Sequence, residues 1–502
     1  MDGLLLEQAE ARRVAASEQL PAENRRDLGQ FFTPAPLARM LASFFDLAAV
    51  GRDGVTLLDP GAGTGSLTAA FVDRLTSEAP DLRLEAQAFE LDPELHTPLK
   101  ATLKECSETN ANANTRLRVD DFIAWGAQNI LLGEGLELFD FVIMNPPYRK
   151  ISSASPQRKT LRLAHIEATN LYTAFLALAI RLLAPGGQLV AITPRSFCSG
   201  RYFREFRKDL LARTALKRIH VFQSRNVAFQ DADVLQENIV FHLVRTSERP
   251  DIRVSMSNSH VDHVASEHVL PPSSVVRPDD PESFIHIAPS ASDLTISERM
   301  HALRGSLTED RLEVSTGRVV DFRSRSNLRA LKEKGSAPLI YPGHLAERRV
   351  RWPEGAPRKP KAIAVNTSTE SLLFPSGHYV LVKRFSSKEE PRRVVAAVYD
   401  PDEIEAERVA FENHLNVFHA RGSGLPPAVA YGLAAFLNCS VVDAYFRLFS
   451  GHTQVNATDL RNIRYPTKDQ LKALGEAMGG SIPDAAKLDE LIVRYVPELA
   501  IP

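Results

Sequence analysis

The chain has 502 residues, 44% of them apolar and 24% charged, a composition that excludes disordered and fibrous classes and leaves room for two to four domains with a sizeable core. With 60 Lys and Arg against 62 Asp and Glu, overall charge gives no attraction for nucleic acid or membrane. The charge is segregated, however: residues 149–162 carry five cations and no anion, 195–225 nine against two, and 317–400 seventeen against eight, so the remainder carries −23.

Residues 1–28 are expected to form a helical extension, opening Met1-Asp2 without the basic stretch of a leader. The apolar run Val55 to Leu58 then enters Asp59-Pro60-Gly61-Ala62-Gly63-Thr64-Gly65, and Leu67, Ala70, Phe71 and Leu75 follow at helical spacing. That is a strand, glycine turn, helix unit. Further apolar stretches close at Phe89-Glu90-Leu91-Asp92, before Asp120-Asp121-Phe122, and at Phe139 to Met144, which runs into Asn145-Pro146-Pro147-Tyr148. A helix over Leu171 to Leu183 and a strand over Gln188 to Thr193 continue the alternation. The first half is therefore expected to be an α/β, doubly wound, Rossmann-like domain over 29–250. Proline-rich polar clusters mark 251–285 as a linker. Residues 286–502 form a mixed α/β second domain, with helices expected over Ala428 to Leu448 and near Asp484 to Val496.

Cys106, Cys198 and Cys439 lie far apart with no CxxC spacing, which predicts no disulfide framework and no metal site. The longest apolar run, near Leu171 to Ile180, reaches about half of the roughly 20 residues a membrane span needs. A cytoplasmic chain with no membrane partner is expected.

Gly61, Gly63 and Gly65 allow the backbone to turn tightly and approach a ligand. A GxGxG turn alone is found in many α/β proteins. Glu90, at the end of the next strand, can accept hydrogen bonds from both hydroxyls of a ribose. Asp59 opens the loop, where a carboxylate repels a pyrophosphate and attracts a ligand bearing an amino group and a sulfonium, so the pocket favours S-adenosylmethionine over a dinucleotide. Asp121 can accept from an adenine amine with Phe122 as an apolar contact, or act as a helix cap before a core phenylalanine.

Asn145-Pro146-Pro147-Tyr148 follows its strand at the carboxyl edge of the sheet. An exocyclic amine on adenine is a poor nucleophile because its lone pair is delocalised. Two acceptors, the Asn145 side-chain oxygen and the Pro146 carbonyl, can take its two protons and favour a pyramidal nitrogen. The prolines hold these acceptors in place, and Tyr148 can stack on the base.

In this order, Gly29-Gln30-Phe31-Phe32-Thr33-Pro34, DPGAGTG, FELD, DDF and NPPY closely resemble, over 29–245, the amino-group-specific DNA adenine N6-methyltransferases of the gamma motif order, the TaqI-like group. The resemblance implies that Phe32 and Thr33 lie against the methionine end of S-adenosylmethionine and that Asp59 to Gly65 form its loop. Glu90, with Leu91 beside it, would hold the ribose, and Asp121 and Phe122 the adenine. Asn145 to Tyr148 would grip a base flipped out of double-stranded DNA, since the paired amine is otherwise out of reach. A second aromatic stacks on that base in the family; Phe229 has the matching spacing, with Phe222 as runner-up.

The second half carries Arg318, Arg323, Arg325, Arg329, Arg348, Arg349, Arg351, Lys383 and Arg384, a density suited to phosphates and guanine edges, although charge runs also form solvated faces. Its segments Glu412 to Asn416 and Gly451 to Leu460 resemble the recognition half of restriction-modification methylases, particularly the PstI/BsuBI-like set. That narrower likeness implies CTGCAG as the target. Asn413 and Asn456 could read adenine edges or serve as turn or cap residues. Expected contacts with DNA are therefore Arg318, Arg348, Arg349, Lys383, Arg384 and Asn456, in a cleft between the two domains. The expected protein is a monomer, with a separate cognate restriction endonuclease as partner; an orphan or phage-defence role is also compatible. The alternatives are a methylase of a protein glutamine amide or RNA adenine, since NPPY also serves planar amides, and a non-catalytic DNA-binding module.

Overall fold

Strands β1 (Gly54–Pro60), β2 (Arg83–Phe89), β3 (Ala113–Arg118), β4 (Phe139–Met144), β5 (Leu183–Pro194), β6 (Ala215–Phe222), β7 (Asn238–Val244), β8 (Ile252–Ser257) and β9 (Ser266–Leu270) make one sheet in the order β3-β2-β1-β4-β5-β7-β6-β8-β9. This computed structural model describes residues 4–19, 31–48, 53–133, 135–223, 237–308, 311–386, 390–449 and 454–500. β3, β2, β1, β4 and β5 run parallel, and β7 is inserted antiparallel between β5 and β6. Phe139, Phe141, Val142, Ile143 and Met144 are all fully buried, the reason β4 reads as an apolar run broken only by Asp140, which accepts from the Thr56 amide at 3.0 Å, rather than as an alternating strand. Leu57, Phe141, Ile143, Val190 and Ile192 share a core with the helices Leu4–Gln19, Ala35–Ala42 and Ser66–Glu78. Elsewhere the helix Phe122–Leu132 packs through Gly126 against Leu178 of the helix Leu171–Arg181. The fold is α/β, with a parallel-rich central sheet.

The chain divides into two units, Met1–Ser290 and Ala291–Pro502. The expected linker 251–285 is thus a correction: β8 pairs parallel with β6 and β9 closes the sheet antiparallel, so most of that stretch is the sheet's far edge. Its prolines bound short strands and loops that are themselves anchored. Arg207, fully buried, donates to the Glu282 carbonyl at 2.8 and 3.0 Å and lies 4.9 Å over the Phe284 ring.

The second unit holds two sheets built from strands of two to five residues, too short for a periodic pattern to show. The six-stranded sheet runs Glu313–Thr316, Leu415–His419, Tyr379–Lys383, Ala396–Tyr399, Arg349–Val350, Leu345–Ala346; the five-stranded one runs Leu328–Arg329, Ala362–Ala364, Ser336–Ile340, Arg408–Phe411, Leu373–Pro375. The single helix expected over 428–448 is two, Pro427–Leu437 and Ser440–Phe449. Asn438 breaks it by turning its amide onto the neighbouring strand, donating to the Ala396 carbonyl at 2.9 Å. Among the described residues no single helix is long and apolar enough to cross a membrane; this pair passes only when its two members, bent by 56°, are taken together, and it forms part of the unit's core.

Candidate functional site

The glycine loop is shaped by the ends of two strands. The amides of Gly61 and Ala62 both donate to the Phe89 carbonyl at the end of β2, at 2.9 and 2.8 Å, which pulls the chain back across the sheet edge. Gly61, Gly63 and Gly65 have φ of 77°, 59° and 87°, values that favour glycine. At Gly65 a Cβ would also meet Leu99 Cδ1 at 2.9 Å and Thr102 Cγ2 at 3.0 Å, so this position is closed to larger residues by packing as well as by conformation.

Glu90 stitches the loop to the next turn: Oε2 accepts from the Gly63 amide at 2.8 Å and Oε1 from the Asp92 amide at 2.9 Å. Burial raises its pKa, and these amides pull the other way. Each oxygen keeps a lone pair for a further donor. Asp59 lies deeper than the sequence suggests. It is 1% exposed, its Oδ2 accepts from Thr68 Oγ1 at 2.7 Å, and burial pushes its carboxyl up to about 7. It supports the loop from beneath and does not line the cavity.

That cavity, about 380 Å³, is lined by Phe32, Thr33, Gly61, Gly63, Glu90, Leu91, Asp121, Phe122, Asn145 and Pro147 among the expected residues. Asp59, Gly65, Pro146 and Tyr148 stand outside its lining. Sequence reasoning passed over Phe31, Leu95, Arg149, Gln157 and Phe175, which also line it. Phe175 lies on the helix expected over Leu171 to Leu183, and only the placement of that helix, Leu171–Arg181, brings its ring 5.0 Å from Phe122 and next to Gly61. Asp121 is a helix cap, its Oδ1 accepting from the Ile123 amide at the start of Phe122–Leu132 at 2.8 Å, and it also lines the cavity.

Asn145 is held in one orientation. Its Nδ2 donates to the Phe31 carbonyl at 2.6 Å and to Thr33 Oγ1 at 3.1 Å. A backbone carbonyl only accepts, so the amide nitrogen must face it, and Oδ1 is turned the other way. Oδ1 accepts from the Tyr148 hydroxyl at 3.0 Å and retains a second lone pair. Burial raises the Tyr148 pKa well above the usual phenol range, which keeps that hydroxyl a donor. The Tyr148 ring packs 5.2 Å from Phe31 and 6.2 Å from Tyr172. Phe31 and Thr33 are thus positioning groups for Asn145, a role that neighbouring motifs did not signal.

The geometry has counterparts among known proteins. An Eco57I restriction-modification methylase family model matches residues 73–229. The chain is 43% identical over 504 residues to the type II methyltransferase M.BsuBI of Bacillus subtilis, covering 98% of each. The chain belongs to this type II methyltransferase family. It is also 40% identical over 485 residues to the type II methyltransferase M.PstI of Providencia stuartii, covering 96% of this chain and 95% of that protein. The recognition-half segments quoted above had pointed to this set. The type IIL restriction-modification enzyme MmeI, solved with DNA, shares the fold with a TM-score of 0.52 at 12% identity, over 98% of this chain and 76% of that one.

In the second unit of this type II methyltransferase, most of the expected DNA contacts are bonded within the unit. The Arg318 guanidinium lies 4.0 Å over Phe374 and donates to the Ser371 and Leu373 carbonyls at 3.2 and 3.3 Å. Arg384 donates to the Asn413 carbonyl at 2.6 Å. Arg349 is 3.7 Å from Glu403 and donates to Ser481 Oγ at 3.3 Å. Asn456 leads into the helix Ala457–Asn462, its amide held by Asp459 at 2.8 Å, so the cap alternative is the one seen. Arg348 is pulled below its usual pKa by burial and by Arg392 nearby, and Lys383 ends its strand half-buried. Phe229 lies outside the described residues, as do Gly29, Gln30 and 451–453. Phe222, the runner-up, is buried in the core of the first unit.

Proposed function

We propose that this type II methyltransferase transfers a methyl group from S-adenosylmethionine to the N6 amine of adenine in double-stranded DNA, marking a site against a cognate restriction endonuclease. The observation that carries the reading is Asn145: anchored through Nδ2 by Phe31 and Thr33, it presents Oδ1 as a fixed acceptor beside the cavity.

The cavity suits the cofactor by its chemistry. Gly61 and Gly63 offer bare backbone at its wall, Glu90 offers carboxylate lone pairs to a diol, and Asp121 with Phe122 offers an acceptor beside an aromatic face. S-adenosylmethionine supplies an electrophilic methyl when bound. Glu90, Leu91, Asp121, Phe122, Phe32 and Thr33 would hold it.

For the amine, the chain supplies two acceptors, Asn145 Oδ1 and the Pro146 carbonyl. Their hydrogen bonds to both N–H groups draw the nitrogen out of conjugation, and the prolines spare the site any ordering cost during reaction. Tyr148 serves twice, donating to Asn145 Oδ1 and placing an aromatic ring next to the acceptors. Family membership supports DNA as the substrate over a protein amide, and CTGCAG is the first target to try.

The test is incubation of the purified protein with S-adenosylmethionine and unmethylated plasmid, digestion to nucleosides and mass spectrometry. N6-methyladenine is expected with the native chain and not with Asn145→Ala. N4-methylcytosine alone, or no methylated nucleoside while the cofactor still binds, overturns the assignment.

A further inference from the structure

In the second unit, one histidine is built as a reader rather than as part of the scaffold. Glu412 is buried at 2% exposure, and both of its oxygens are spent on a single residue: Oε1 accepts from His414 Nδ1 at 2.6 Å and Oε2 from the His414 amide at 2.9 Å. Removing a carboxylate from water is costly unless it is fully hydrogen-bonded, and here the compensation comes from one side chain and its own backbone. The His414 side chain keeps 49% of its surface exposed. A carboxylate oxygen only accepts, so the ring nitrogen facing it, Nδ1, is the one that carries a proton, and in the neutral imidazole tautomer so selected Nε2 is an acceptor. Among the described residues Nε2 has no hydrogen-bond partner.

The platform under this ring is rigid. Glu412 N donates to the Ile340 carbonyl at 3.0 Å, Asn413 N to Val319 at 2.9 Å, and Arg384 N to the His414 carbonyl at 2.9 Å. Three separate chain segments therefore clamp residues 412–414. Phe385, itself 46% exposed, sets its ring 5.1 Å from the imidazole and restricts its rotation. Lys383 and Arg384 precede Phe385 in the chain, and the Arg384 guanidinium, held by the Asn413 carbonyl at 2.6 Å, fixes a positive charge beside residues 412–414. A half-exposed ring held by a buried carboxylate and a neighbouring aromatic, with one ring nitrogen that has no partner among the described residues, meets the requirement for reading a base edge at little ordering cost.

We infer that His414, oriented by buried Glu412 and braced by Phe385, determines sequence specificity at one base pair by accepting a hydrogen bond from an exocyclic amine, adenine N6 or cytosine N4, in the major groove. The inference deepens the proposed function and rests on DNA being the substrate.

The experiment is methylation of a randomised duplex library by the native chain, His414→Ala, His414→Phe and Glu412→Gln, followed by sequencing of the methylated sites. His414→Phe keeps a ring against Phe385 while removing both ring nitrogens, so it separates loss of the hydrogen-bonding atoms from the loss of ring packing in the alanine variant. In both His414 variants the preference at one position, an adenine or cytosine on one strand, is expected to fall by about tenfold, the size of a typical single base-pair mismatch, with other positions unchanged. Glu412→Gln frees the tautomer and weakens preference at that same position. Unchanged base preferences in the His414 variants, or a uniform loss of methylation across all sequences, would overturn the inference and reduce the pair to scaffold. No methylation by the native chain would instead overturn the DNA reading itself, so the two failures are distinguishable.

Discussion

The rim of the cavity in the first unit and the basic loops of the second were both singled out by residue type, yet they differ in what holds their named residues. In the first unit the functional groups are set by backbone: Gly61 and Ala62 amides on Phe89, Gly63 on Glu90, Phe31 on Asn145. Their free valences face the cavity. In the second, the charged groups turn inward, with Arg318 on Phe374, Arg384 on Asn413 and Arg392 on the carbonyls of Asn438 and Cys439. Charge density along a sequence therefore overstates an interface wherever guanidiniums satisfy carbonyls of their own fold, while a motif whose shape is set by main chain is legible from residue type.

The strongest way to break this contrast is Asn145→Ala. Loss of a preorganised polar group at the reacting atoms is expected to cost at least about 10²–10³ in kcat with cofactor affinity retained. Near-native turnover would remove the acceptor role.

Asp59 provides the next effect. Its folded pKa near 7 lies above the ordinary 3.8, so its contribution to stability is complete below about pH 4 and is lost as pH rises through 7. Asp59→Asn should therefore become progressively more stable than the native chain between pH 4 and 7, approaching about 4 kcal/mol at the upper end. Denaturant melts at pH 4, 5.5 and 7.5 check it; a pH-independent difference would show that the carboxyl titrates normally.

Gly65→Ala combines a left-handed backbone with contact on Leu99 and Thr102, and about 1–3 kcal/mol of destabilisation is expected from thermal or denaturant unfolding. A neutral substitution would mean that the helix start can shift.

In the second unit, Arg318→Ala should lower stability by about 1 kcal/mol through lost cation–π and carbonyl contacts, while leaving the salt dependence of DNA binding unaltered. Arg325 is exposed and pairs with no carboxylate among the described residues. Arg325→Ala is expected to change stability little and, as a phosphate contact, to flatten the salt slope by about one. The reverse pattern would restore Arg318 as a DNA contact.

Much of the first unit was legible because it is punctuated by residues with narrow physical meaning: glycines that turn, an acid at the ends of β1, β2 and β3, prolines fixing φ after Asn145. Buried parallel strands also announce themselves as unbroken apolar runs. The linker reading failed because Pro271, Pro272 and Pro281 mark loop ends equally well whether the short strands between them are paired or not, and pairing with β6 is a non-local event.

The sequence by itself determined the α/β alternation, the glycine turn after β1 and the placing of Glu90, Asp121 and Asn145 at strand ends, because each depends on residue type and local spacing. Only the tertiary structure decided that Asp59 lies beneath the loop, that Phe31 and Thr33 orient Asn145, that Phe175 closes the cavity, and that Glu412 fixes His414. Those outcomes depend on which segments distant in sequence meet, and hydrogen-bond partners and burial are properties of that meeting rather than of any one stretch of chain.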